Sequence, residues 1–184
     1  MGIRIIPPDS GETPAPVHAP ATTHPSLAPV RLEAPLLDKI AAKVPVFAGM
    51  PRPVLEELLA SARRVHLAPW DNLFEQGQAG QDFFVLLAGE VSVTRLHAGQ
   101  RVQLARLGPG ECVGEMALVR HENRSASVTA IKETVALQLE QQAIDANSEA
   151  AHHIYRNIAR ILAARLSESS TTLTLLASQQ REGH

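Results

Sequence analysis

Residues 83–110 read FFVLLAGEVSVTRLHAGQRVQLARLGPG, and the spacing of their apolar side chains decides the fold. Phe83-Phe84-Val85-Leu86-Leu87 is a short apolar run closed by Gly89-Glu90. Val91 and Val93 then alternate with polar neighbours, as in a half-buried strand. His97-Ala98-Gly99-Gln100 is a turn leading into Val102, Leu104 and Leu107, and Gly108-Pro109-Gly110-Glu111 is another. Further along, Val128 and Ala130, then Val135, Leu137 and Leu139, supply two more strands around Lys132-Glu133. Short strands punctuated by glycine at intervals of roughly ten residues predict an antiparallel sandwich or barrel.

The flanks have a different period. From Leu36 to about His66 the pattern is helical: Leu36, Leu37, Ile40, Val44 and Phe47 keep i, i+3, i+4 spacing, and Pro51 and Pro53 start a second helix faced by Val54, Leu55, Leu58 and Leu59. After the strands, Asn147 or Ser148 is placed to cap a long helix. On it Ile154, Ile158, Ile161, Leu162, Arg165 and Ser169 fall on one face. Helix propensity drops after Ser170-Thr171-Thr172, so residues 171–184 are expected to be a flexible tail. Residues 1–35 hold eight of the thirteen prolines and few large apolar side chains, the composition of a disordered leader. The folded domain is therefore expected over residues 36–170.

Composition narrows the function. The chain has 184 residues with 45% apolar and 20% charged, which suits one soluble domain with a core. A formal charge of −2 gives no overall electrostatic reason to bind nucleic acid or an anionic membrane. A single cysteine excludes an intramolecular disulfide and any zinc or iron–sulfur site that needs several thiolates from this chain. No membrane-spanning run and no signal peptide are visible, so the expected location is the cytoplasm. Nucleophile elbows, phosphate loops ending in Gly-Lys-Ser/Thr and carboxylate-rich metal clusters are missing too, so an enzyme is not expected.

The chemistry is concentrated in residues 108–126, GPGECVGEMALVRHENRSA. Gly114 lets a ligand approach the backbone, since no Cβ intervenes. Glu115 accepts hydrogen bonds from a sugar hydroxyl. Met116-Ala117-Leu118 begins a helical turn whose free N–H groups suit an anion. Arg124 presents a fork of donors matched to phosphate oxygens, and Ser125 adds a hydroxyl. A carboxylate and a guanidinium on one loop describe a ligand that is part polyol, part phosphate.

Over roughly Val44 to Ser170 the sequence resembles the cyclic nucleotide-binding domain family. The match runs through VPVFAGM (44–50), LFEQG (73–77), FVLLAGEV (84–91) and the cassette Gly114-Glu115 … Arg124-Ser125-Ala126. The resemblance implies an α+β fold: an eight-stranded antiparallel β-roll of jelly-roll type, with N-terminal helices and a long C-terminal helix. It also implies that Glu115 takes the ribose 2′-OH and Arg124 the cyclic phosphate, supported by Ser125 and the N–H groups of Ala117 and Ala126. The step from Glu115 to Arg124 is like that of eukaryotic kinase regulatory subunits, whereas Arg-Ser-Ala looks like the bacterial catabolite activators. In the activators an Arg-Leu and a hydroxyl pair on the long helix reach the base; Arg165-Leu166 and Ser169-Ser170 stand at the corresponding distance here. Asn123 replaces the proline that many members place before the cassette arginine, which leaves the geometry of that loop open.

These observations describe a binding sensor for cAMP, with cGMP second. A homodimer through the helix over 148–170 is expected. Activators continue into a helix-turn-helix, and only fourteen residues follow Ser170, so no direct DNA binding is expected and the signal would pass to an effector protein whose identity the sequence does not name. Two alternatives stand beside this reading: a nucleotide-independent interaction module on the same fold, and a cyclic dinucleotide receptor. For Glu115 and Arg124 the bland reading is a surface ion pair. Cys112 reads as a small buried hydrophobe. The adjacent His152 and His153 diverge on a helix and read as surface residues.

Overall fold

The run Phe83–Leu87 lies in strand β3 (Asp82–Ala88), and its unbroken apolarity has a structural cause. Phe83 and Val85 pack into a cluster with the helices, while Phe84 and Leu86 point into a second cluster between the sheets. β3 thus belongs to a middle layer that is dry on both faces, where alternation has no use.

The structure is a computed structural model and describes residues 34–120 and 122–182. Helix α1 (Ala34–Lys43), a 3-10 turn (Pro45–Phe47) and helix α2 (Arg52–Ala60) come first. Among the described residues there are eight strands: β1 (Arg63–Leu67), β2 (Asn72–Phe74), β3, β4 (Val91–His97), β5 (Gln100–Leu107), β6 (Cys112–Val113), β7 (Ser127–Ala130) and β8 (Thr134–Glu140). Helix α3 (Glu115–Arg120) sits between β6 and β7, and α4 (Gln141–Asp145) and α5 (Ser148–Glu182) end the described chain. Two four-stranded sheets result, ordered β1-β8-β3-β6 and β2-β7-β4-β5, with every pairing antiparallel. This is the expected α+β roll.

Three boundaries differ from expectation. The helical reading toward His66 stops at Ala60: the N–H groups of Ser61 and Ala62 return to the carbonyls of Leu58 and Leu59, and residues 63–67 pair with β8 instead. Strand pairing that buries Leu67 outweighs the local helical pattern. The first helix begins at Ala34, slightly before Leu36. Residues 171–182, expected as a flexible tail, continue α5; a helix already nucleated on the core propagates through weak formers more easily than it starts. The leader's residues 1–33 and residues 183–184 lie outside the described residues.

Helix α5 begins at an Asn147 cap, whose Oδ1 accepts the N–H groups of Glu149 and Ala150, both at 3.1 Å. Ile154 and Ile158 are fully buried against the lead-in helices and the middle sheet, each worth about 1.5–3 kcal/mol of transfer free energy. Between them in the contact lies a polar hook. Buried Asn157 donates from Nδ2 to the carbonyl of Val46 at 3.0 Å and to that of Ala48 at 2.8 Å. These bonds tie α5 to the 3-10 turn, whose carbonyls would otherwise be left without a partner.

Replacing Asn157 by alanine strands both carbonyls and opens a small cavity. Stability should fall by roughly 2–4 kcal/mol, a drop of about 5–15 °C in the thermal midpoint. Circular dichroism melts of the two proteins check this, and equal midpoints would show that the hook carries no weight.

Candidate functional site

Arg124 leaves the loop after α3 and turns inward, leaving only 5% of its surface exposed. Its main chain is fixed first: the N–H donates to the carbonyl of Gln78 and its own carbonyl accepts from Gly77 N–H, both at 2.8 Å. The β2–β3 loop therefore brackets the residue like a short ladder. Gln76, in the same loop, ties it to the neighbouring hairpin: its Oε1 accepts from Leu96 N–H at 2.7 Å and its N–H donates to Ser127 Oγ at 2.9 Å.

The guanidinium is then held on several sides. Nη2 pairs with the carboxylate of Asp82, and Nη1 donates to the carbonyls of Asp82 at 2.7 Å and Gly114 at 3.1 Å. Its carbon lies 4.2 Å from the Phe74 ring centroid, within cation–π range. Asp82 is itself positioned by a second hydrogen bond, from Gln138 on β8. Two glycines make the approach possible. A Cβ on Gly80 would stand 2.4 Å from Arg124 Nε, and one on Gly114 would stand 2.5 Å from Nη1. Gly114 also has φ +88°, a conformation that favours glycine. Arg124 Nε is buried and has no partner among the described residues.

Glu115 opens α3 with 4% exposure. Its Oε1 accepts from Arg165 Nη1 at 2.8 Å, and Arg165 Nη2 reaches the Cys112 carbonyl at 3.2 Å. The ion pair expected as the bland alternative, Glu115 with Arg124, does not form; the two residues take separate partners. Burial raises the pKa of Glu115 above the usual carboxylate range, opposed by the nearby charges of Arg165 and Arg124. Burial likewise lowers that of Arg124, against the pull of Asp82.

A cavity of about 80 Å³ joins these groups. Gly114, Glu115, Met116, Ala117, Arg124, Ser125, Ala126 and Arg165 line it, over an apolar floor of Phe74, Val93, Leu107, Val113 and Val128. The structure thus brings these residues to one cavity, Arg165 arriving from α5. Ser170 is exposed on α5 and does not line the cavity, and the side chain of Ser169 lies outside the described residues. Ala117 N–H, expected to support an anion, donates to the Gly114 carbonyl at 3.2 Å. Cys112 is 2% exposed, and burial pushes its thiol up to about 12, so it stays protonated at neutral pH. His153 is half-buried rather than a surface residue, 3.0 Å from Arg156.

Sequence reasoning missed Asp82, Phe74 and Gly80. A signal for Asp82 was present: an aspartate immediately before Phe83-Phe84 stands at the head of a strand, where carboxylates are depleted unless they are used.

The raised pKa of Glu115 has a definite sign in a stability curve. A carboxyl that holds its proton more tightly when folded contributes stability in acid, and that contribution is lost as pH rises from about 4.5 through its folded value. Glu115→Gln removes this loss. The difference in melting midpoint, variant minus parent, should therefore grow from pH 4.5 toward neutrality; a difference that is flat or shrinks would overturn the assignment.

Comparisons with known proteins agree on one family. The sequence profile described as Cyclic nucleotide-binding domain matches residues 64–147. A cyclic AMP receptor protein of Thermus thermophilus is 34% identical over 137 residues, 74% of this chain and 63% of the relative. The chain thus spans somewhat less than two thirds of that curated relative. The crystal structure of the Thermus thermophilus catabolite activator protein superposes with a TM-score of 0.64 at 34% identity, over 72% of this chain and 63% of that one. The N-terminal domain of a transcriptional regulator from Streptomyces coelicolor gives 0.60 at 32% identity, covering 71% of this chain and 94% of the other.

Proposed function

Since the chain belongs to the cyclic nucleotide-binding domain family, we propose that it is a sensor whose ligand is cAMP, with cGMP as the second candidate, and that it acts by binding rather than catalysis. The observation that carries this reading is the cavity itself, which sets the buried Arg124 guanidinium and the buried Glu115 carboxylate on one space. A buried cation is costly to desolvate, and an anionic ligand would offset part of that cost. Nη1 is turned to two carbonyls and Nη2 to Asp82, so the guanidinium is oriented before any ligand arrives.

The donor set fits a cyclic phosphate on Arg124 and Ser125, with the N–H of Ala126 beside them, and a ribose hydroxyl on Glu115. The room does not fit yet. About 80 Å³ is far below the roughly 300 Å³ or more of small-molecule pockets. Arg165 is the group in the way, since it lines the cavity and holds Oε1 of Glu115. Ligand entry therefore displaces Arg165, and Ser169 and Ser170 further along α5 are proposed contacts for the base. Binding energy that differs between two positions of α5 shifts their populations.

A partner protein is proposed to read the moved helix. Homodimerisation through residues 148–170 is also proposed, but on a narrower surface than the apolar stripe implied: Ile154 and Ile158 are fully buried in this chain's own core and Ile161 and Leu162 pack against it, which leaves the 69% exposed Leu166. No helix among the described residues is long and apolar enough to cross a membrane, and the cytoplasm is the proposed location.

Thermal shift with cAMP and with cGMP tests the reading directly, because a ligand that binds only the folded state raises the midpoint. Arg124→Ala should weaken cAMP binding by about 30-fold to several-thousand-fold, equivalent to roughly 2–5 kcal/mol, as read by calorimetry. No shift with either nucleotide would refute the sensor reading and favour the nucleotide-independent module. Hydrogen exchange supplies a separate check on mechanism: protection in residues 148–176 should change on saturation with cAMP. Unchanged exchange there with intact binding would remove α5 from the signalling step.

A further inference from the structure

The β4–β5 hairpin has a face the proposed sensor site does not use. Every residue from Arg95 to Leu104 is exposed, on both sides of the ribbon. Leu96, Val102 and Leu104 are 59%, 46% and 54% exposed. Two successive cross-strand pairs set an aliphatic side chain opposite an arginine: Arg95 with Val102, and Leu96 with Arg101. Because side chains alternate along a strand, the two pairs lie on opposite faces, and each face presents one cation beside one apolar group.

The backbone adds a third feature. β5 is the terminal strand of its sheet and pairs only with β4, so half of its N–H and C=O groups face outward. The other side of the ribbon is closed, since Gln76 takes both the N–H and the carbonyl of Leu96. A two-stranded ribbon is marginal by itself; here that clamp and the buried Val91 and Leu107 at its base hold it in place. Residues 91–107 contain Arg95, Arg101 and Arg106 and no carboxylate, in a chain whose formal charge is −2. Among the described residues only Arg106 of the three has an ion-pair partner, Glu90 at 3.8 Å.

We propose that the open edge of β5 docks an extended segment of a partner protein in which carboxylates alternate with aliphatic side chains. The strand edge selects an extended backbone, Arg95 and Arg101 select carboxylates, and Leu96, Val102 and Leu104 select the apolar neighbours. Charge complementarity separates this occupant from another copy of the hairpin, which would set arginine against arginine. Phosphate backbones and lipid headgroups satisfy the arginines but offer no strand to pair with β5. The inference stands independently of the nucleotide site.

The test uses fluorescence anisotropy with the full chain and a labelled short peptide that alternates Glu with Val and Leu, beside the same peptide with Lys for Glu. Saturable binding of the acidic peptide is expected, weakened by roughly tenfold or more in the Lys version and in the Arg95→Glu/Arg101→Glu double variant. Both substitutions are at exposed positions, so the double variant should melt like the parent; Leu104→Asp, tested alongside, should weaken binding through the apolar contact alone. No saturable binding at millimolar peptide, equal binding of the Lys version, or an unaffected double variant would each overturn the proposal. So would tighter binding of a DNA duplex or of phosphatidylglycerol vesicles that the same double variant abolishes. Sedimentation showing self-association that is lost in the double variant would reassign the surface to a second copy of the chain.

Discussion

A guanidinium buried against a carboxylate organises the site and the strands around it. The Arg124–Asp82 pair is costly to desolvate, and its neighbours offset that cost: Gln138 steadies the aspartate, Phe74 lies under the cation, and two backbone carbonyls accept from Nη1. These groups come from four parts of the chain. β2 supplies the ring, β3 the carboxylate, β8 the amide, and the turn before α3 a carbonyl. Closing the roll is what brings these elements together.

Helix α5 connects that site to the rest of the molecule by two separate contacts. At its first turns it is committed: Ile154 and Ile158 are buried, and Asn157 is hooked to the 3-10 turn. Two turns further it holds Glu115 through the one-third exposed side chain of Arg165. The first contact is apolar and stiff, the second ionic and partly hydrated. In the proposed sensor, a ligand competing for Glu115 would act on the weaker contact, with the stiff one as pivot.

Much of this was legible in the chain before folding. Gly114, Glu115, Arg124 and Ser125 lie within one short stretch, and their residue types are those expected of a polyol-and-phosphate site. β3 was legible as a short apolar run, and β4 and β5 from alternation and turn glycines. β1 was not, because Arg63-Arg64-Val65-His66-Leu67 buries little beyond Leu67 and owes its form to pairing with β8. Asp82 was overlooked because its partner is 42 residues away, and a single carboxylate before an apolar run declares no such distance. The stripe on α5 was visible, but whether its isoleucines face a second chain or their own core depends on where the 3-10 turn and α2 sit.

What the sequence by itself determined is what depends on neighbours in the chain: the antiparallel strands, the cassette residues, the capped start of the long helix, and the resemblance that those features carry. Tertiary structure alone decided which charges pair, how small the cavity is, and which ribbon stays uncovered. The physical reason is that a charge's partner is set by distance through space and by access to water, and both are defined only when the two sheets and α5 have closed on one another.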